Sequence, residues 1–249
     1  MKTTNFLFAI LLGPLCSFSQ DTINNQTKIE KYCNENKGDS LPSRSTGTVS
    51  DGKLENGKLV PFNGHNFTYF DTLSYLSGRA FVNDKVKKTI LETYKEFEIL
   101  KPEIHFCIME CSNQHGGQLY PHHTHQNGLS VDFMSPLLKD GLPYYALDMI
   151  GADHYRMDFD NDGNYIKDKF VSVDFDLIAQ HILILNQKAI IYGLRISKVI
   201  IKIEFKDELL ATEHGKKLAE SGIYIVKNLS PLINSLHDDH YHIDFEVLD

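Results

Sequence analysis

Residues 122–132 read HHTHQNGLSVD, and residues 237–249 read HDDHYHIDFEVLD. The first stretch places His122, His123 and His125 before a glycine and Asp132; the second holds His237, His240 and His242. Imidazole and carboxylate are the ligands that borderline divalent metals prefer. In GLSVDF, a period of two sends Leu129, Val131 and Phe133 to one face and Ser130 and Asp132 to the other. Gly128 permits the sharp turn that folds His125 back over this strand. In HYHIDFEV the same alternation turns Tyr241, Ile243, Phe245 and Val247 to the core. His240, His242, Asp244 and Glu246 then face the opposite way. His240 and His242 stand about 6.6 Å apart along such a strand, so one can bind a metal while the other stands beside it. Two imidazoles and a carboxylate with an open fourth position are a ligand set of catalytic zinc sites, which turn water into a nucleophile at neutral pH. Spacing alone leaves open which of the two histidines is the ligand.

Neither motif is specific by itself, because a chain with 12 histidines forms a His-x-His by accident. Other signatures fail on their own terms. There is no HExxH, and the two-histidine, one-carboxylate iron sites place the acid two residues after the first histidine. SDGK at 50–53 sits in a turn-rich segment and lacks a later KTG. DFDNDG at 158–163 begins like a calcium loop, but position twelve is Lys169 where a bidentate Glu is required. A hairpin turn is the expected structure there, with no tight calcium site. His65, His105, His115, His154, His181 and His214 have no motif partners and are expected to be structural or exposed, and His123 to be exposed. Asp244 reads as a surface carboxylate more readily than as a partner of a site histidine.

Taken together, HHTHQNGLSVDF and HDDHYHIDFEV resemble the penicillin-insensitive murein endopeptidases. That family lies within a wider group of zinc peptidases containing lysostaphin, D-Ala-D-Ala peptidases and the hedgehog domain. The wider group is marked by His-x6-Asp and a later His-x-His. The narrower family adds His-x-x-His-Gln-x-Gly and His-x-x-His-x-His, and every one of these positions is filled here in order. SDGKLENGKLVPFNGHNFTYF and SGRAFVNDKV are similar to the family as well, so the likeness runs over residues 44–249. Ser130, where an acid is common, and Asp244, where a base is common, depart from it.

The resemblance implies a bound Zn2+ held by His125, Asp132 and His242. It implies that His240 is the general base or acid, and that His237 and His122 line the site, His237 as a candidate for stabilising an oxyanion. The activity it implies is hydrolysis of the peptide cross-link between peptidoglycan stem peptides. Its alternatives are a D,D-carboxypeptidase on the same fold and a non-catalytic zinc or cell-wall binding domain. The fold it implies is hedgehog-like and D-Ala-D-Ala-peptidase-like.

These side chains need a scaffold, and the pattern of elements suits one. NDKVKKTILETYKEFEIL and FDLIAQHILILNQKAIIYGL have helical periodicity, the second stopped near Gly193. EIHFCIMEC, GLSVDF, ISKVIIKIEF and HYHIDFEV read as strands. KDELLATEHGKKLAES and SPLINSL read as helical, and 158–168 as an acidic hairpin. Helices and strands without a regular βαβ alternation predict an α+β fold, with a central, largely antiparallel sheet flanked by helices. Residues 1–19 carry Lys2, an apolar run and Ser17 and Ser19 before a cut at Gln20, the pattern of an export signal, which implies a periplasmic or secreted protein. Residues 20–43 are expected to be a flexible lead-in, and 44–249 the zinc peptidase domain. Export permits disulfides, so Cys33 could pair with Cys107 or Cys111. A net charge of −8 without a basic stripe argues against nucleic acid. No later apolar run is long enough for stable membrane insertion.

Overall fold

A computed structural model describes the backbone of residues 16–248 and the side chains of residues 24–248. Most of the export signal expected at 1–19 lies outside the described residues. Helix α1 (Cys16–Glu35) leads to the strands β1 (Arg44–Thr48), β2 (Asp51–Glu55), β3 (Lys58–Leu59) and β4 (Phe67–Tyr69). Next come α2 (Thr72–Leu76), β5 (Phe81–Val82), α3 (Asp84–Leu100) and β6 (Phe106–Ile108). A long loop reaches β7 (Ser130–Met134), followed by β8 (Leu137–Lys139), β9 (Leu142–Tyr144), a 3-10 turn (Gly151–Arg156) and β10 (Val171–Val173). The chain continues through α4 (Phe175–Ile191), β11 (Leu194–Ile200), α5 (Phe205–Ala211), α6 (Glu213–Glu220), α7 (Pro231–Ser235) and β12 (His240–Val247). The class is α+β. A five-stranded mixed sheet runs β11-β12-β7-β6-β4, and only β4 and β6 pair in parallel.

Local chemistry explains the two long helices. Asn83 caps α3 by accepting from the Lys85 amide, and Val86, Ile90 and Phe97 form its buried stripe. Asp174 caps α4 through the Leu177 amide, and Gly193 closes it at φ +71. Both helices pack against one face of the central sheet. There Phe106, Phe133 and Tyr241 surround His181 of α4, with ring centroids 5.1, 4.8 and 5.9 Å away. The sheet's other face carries Asp132, His240 and His242. The alternation read from the sequence therefore holds, except at Val247, which lies exposed near the end of β12.

One sequence expectation changes here. The lead-in at 20–43 is not wholly flexible, because α1 covers its first part. Ile29, Tyr32 and Cys33 recur at helical spacing and pack on the core, with Tyr32 edge-on to Tyr75 at 5.7 Å and Cys33 Sγ 3.3 Å from the Tyr75 hydroxyl. The high polarity of the segment hides this narrow apolar stripe. The disulfide that export would permit is not formed among the described residues, where Cys33, Cys107 and Cys111 are free thiols. Within 158–168, Phe159 bridges to Tyr165 around the Asn161–Gly163 turn, and Lys169 pairs with Asp160 at 2.8 Å. No helix among the described residues is long and apolar enough to cross a membrane.

His181 gives the fold an acid sensitivity. Burial in an aromatic cage pushes its pKa down to about 3, and its Nδ1 meets the Tyr241 hydroxyl at 2.8 Å. As pH falls below about 6.5, the unfolded chain takes up this proton before the folded one does. The contribution of neutral His181 is complete above that pH and is lost as pH falls toward about 3. His181→Phe should flatten the dependence of the urea midpoint on pH between neutrality and mild acid. An unchanged slope would show that other groups set acid stability.

Candidate metal centre

The pairing of β12 with β7 places His242 directly opposite Asp132 and Asp244 opposite Ser130. Directly opposed residues in a ladder bring their side chains together. His242 Nδ1 lies 2.8 Å from Asp132 Oδ1. The loop before β7 supplies the third group. Gly128 adopts φ +75, and a Cβ there would come within 2.8 Å of the Asn83 backbone nitrogen and 2.7 Å of Leu54. His125 itself takes the left-handed conformation, φ 67, unusual for a residue with a side chain. The turn folds its ring over the strand, with Nε2 3.1 Å from His242 Nδ1 and 3.3 Å from Asp132 Oδ2.

The hydrogen bonds around these rings fix their tautomers. His125 Nδ1 faces the Cys111 carbonyl, which can only accept, so this nitrogen carries the proton. His242 Nε2 faces the Asp244 carboxylate at 2.6 Å and donates to it. Neutral imidazoles in this arrangement turn bare lone pairs, at His125 Nε2 and His242 Nδ1, toward the Asp132 carboxylate. All three residues are buried, and Asp132 Oδ2 has no hydrogen-bond partner. Three converging donors without a positive charge between them repel one another, so the spot calls for a cation. A proton can serve: burial disfavours charge on His242, but Asp244 and Asp132 outweigh it and lift its pKa to about 10. A divalent metal fits the donor set better, because it engages all three lone pairs at once.

His122 enlarges the choice. Its Nδ1 lies 3.7 Å from Asp132 Oδ2, and His122, His125 and Asp132 form a set whose ligand atoms lie within 4.8 Å of one another. His242 is closer to the shared spot than His122, whose other nitrogen meets Glu110 at 2.7 Å. Burial resists ionisation of Glu110, yet His122 and Arg79 hold it down at about 2.

Asp244 lies buried under His242, bonded to Ser130 Oγ at 2.6 Å and paired with Lys198 at 2.7 Å. It is not the surface carboxylate expected from sequence, because the hydroxyl, the ammonium and the imidazole satisfy it. Holding the far nitrogen of a ligand imidazole is the usual supporting role of such an acid. An acid at position 130 would face Asp244 across the ladder, whereas the Ser130 hydroxyl donates to it.

His240 occupies the next position on this face of β12. Its Nδ1 lies 2.6 Å from Asp239 Oδ1, and Asp239 Oδ2 meets His154 Nδ1 at 2.8 Å. Burial opposes the imidazolium form of His240, but Asp239 overcomes it and raises the pKa. The same partners hold Asp239 down at about 2 against its own burial. His237 follows α7, stacks near His240 with centroids 4.9 Å apart, and bonds the Ile233 carbonyl through Nδ1 at 2.7 Å. Burial, with His240 beside it, pushes its pKa to about 3, so it stays neutral.

A cavity of about 460 Å³ opens over His122, His237, His240 and His242, and Tyr155 and Ile233 give it apolar walls. All six residues singled out from the two motifs therefore lie on one site, and His123 sits exposed at its rim. Sequence reasoning missed Glu110, His154 and Asp239. Glu110 was legible only as a charge in an otherwise apolar run, and His154 lies far from either motif. Comparison with protein-family models and with curated proteins gives no match.

Divalent metal should bind one equivalent at this cluster. Asp132→Ala and His242→Ala should lose it, and Asp244→Ala should weaken it by roughly 10- to 100-fold. Competition against a chromophoric chelator measures all three. An Asp244→Ala variant with unaltered affinity would contradict the supporting role of that carboxylate.

Proposed function

We propose that the chain is an exported zinc peptidase that hydrolyses peptide cross-links between peptidoglycan stems, at the D-Ala–diaminopimelate bond. One observation carries this reading. His122, His237, His240 and His242 line a single cavity, and His125 and Asp132 meet His242 beside it, although the two motifs are separated by more than a hundred residues. The assignment to the murein endopeptidase type rests on the order and spacing of those residues. A hedgehog-like arrangement is compatible with the α+β fold and its five-stranded sheet.

We assign His125, Asp132 and His242 as the residues that hold the zinc. When bound, the ion supplies a Lewis acid that acidifies water and polarises a carbonyl oxygen. The chain's own residues do the rest. His240, with Nδ1–H donated to Asp239, presents a bare Nε2 that accepts a proton from water as the oxygen attacks the scissile carbonyl. It returns that proton to the amide nitrogen as the C–N bond breaks. Asp239 and His154 fix the ring's orientation and favour the imidazolium formed midway. His237 differs from its expected part. Its proton is committed to the Ile233 carbonyl, so neutral His237 offers an acceptor and suits a substrate N–H better than an oxyanion. Tyr155, Ile233 and Leu236 shed water from the substrate's path.

The test is incubation of the metal-loaded chain with purified dimeric muropeptides, read by mass spectrometry. Dimers should become monomers, a chelator should stop this, and β-lactams should not, since no serine nucleophile takes part. His240→Ala should keep its metal and lose roughly 100- to 10,000-fold in turnover. Persisting dimers with trimming of a terminal D-Ala from monomers would assign a carboxypeptidase instead. Intact substrates in the presence of bound metal would assign a binding domain.

A further inference from the structure

A second group of ligand-type side chains lies away from the histidine centre. His105 immediately precedes β6, Cys107 lies within it, and Asp148 comes from the loop after β9. One ligand atom from each lies within 4.8 Å of the others. Tyr145 ties the loop to the strand: its hydroxyl accepts from the His105 amide at 3.2 Å and donates to the Glu103 carbonyl at 2.8 Å. The Asp148 amide bonds back to the Tyr145 carbonyl at 3.1 Å, which turns the carboxylate toward Cys107. The three residues border a cavity of about 10 Å³, also lined by Ser135. That is room for one water-sized sphere. Ser135 is 1% exposed, and its hydroxyl has no hydrogen-bond partner. An unsatisfied buried hydroxyl beside a small polar cavity suits a polar or ionic ligand there.

We propose that His105, Cys107 and Asp148 form a second metal site, of the thiolate–imidazole–carboxylate kind that takes zinc or cobalt. Ser135 faces the fourth position or a water held there. The ligand set is soft enough to select zinc-like ions and too poor in oxygen for calcium or magnesium. The electrostatics agree. The buried Asp148 carboxylate has the Cys107 thiol as its side-chain partner. Burial lowers the pKa of His105 and keeps its imidazole neutral, the form that ligates. The Thr68 hydroxyl, 3.3 Å from Nε2, and the edge-on Tyr145 ring hold it in place. Met134 lines the same cavity and lies two residues beyond Asp132 in β7, so both centres lie on one face of the sheet.

Sulfur sets the two centres apart, because the histidine centre has no thiolate among its donors. The full chain, stripped with a chelator and titrated with cobalt(II), should develop a near-ultraviolet sulfur-to-cobalt charge-transfer band. Asp132→Ala, which disables the histidine centre, should keep the band. Cys107→Ser should lose it entirely and bind one equivalent less, with its far-ultraviolet circular dichroism unchanged. A wild-type chain without the band overturns the proposal, and so does a band that survives in Cys107→Ser. If Cys107→Ser does not fold, Asp148→Asn gives the reading: cobalt affinity at the thiolate should fall by roughly tenfold or more, and unaltered affinity overturns the site.

Discussion

Three lone pairs meet where β12 crosses β7, and the rest of the molecule is arranged around that meeting. Asp132 and His242 face each other because the ladder register makes them a direct pair. His125 arrives from a loop that must reverse within a few residues. Each imidazole is tied from behind by a hydrogen-bonding partner that fixes where its free lone pair points: the Cys111 carbonyl for His125, Asp244 for His242. A buried carboxylate between two bare imidazole nitrogens is costly until a cation joins them. The cluster therefore favours a positive charge at its centre, either a proton on His242 or a metal ion.

The supports form layers outward from this point. Behind the site, α3 and α4 press Phe106, Phe133 and Tyr241 into one aromatic packing around His181, which holds the strands in register. Beside it, Asp239 bridges His154 and His240, coupling the 3-10 turn to β12. Across the cavity, Arg79 pairs with Glu110, which holds His122. Each layer limits the freedom of an imidazole ring, which proton transfer and ligation both require. His237, unlike His122, His240 and His242, is tied to a backbone carbonyl and not to a carboxylate, and burial leaves it neutral.

Much of this was legible from residue types and spacing. Period-two alternation in GLSVDF and HYHIDFEV gave the correct faces for Asp132, His240 and His242. Gly128 marked the turn, and the helical stripes of α3 and α4 were plain. Contacts between distant parts of the chain were not legible. Asp244 looked like a surface acid because nothing local shows that Lys198 and Ser130 converge on it. His154 looked incidental because its partner, Asp239, lies 85 residues away. The α1 stripe of Ile29, Tyr32 and Cys33 was hidden in a polar composition, since three apolar residues suffice where a groove beside Tyr75 awaits them.

The most direct measurement of the central claim is X-ray absorption at the zinc edge. The sample is the Cys107→Ala variant loaded with one equivalent of zinc, so that the cysteine cluster does not contribute. Ligation by His125, Asp132 and His242 predicts a shell of nitrogen and oxygen only, at about 2.0–2.1 Å, with the outer-shell scattering of two imidazoles. Sulfur at about 2.3 Å, or a shell without imidazole, would contradict the claim that these three lone pairs hold the metal.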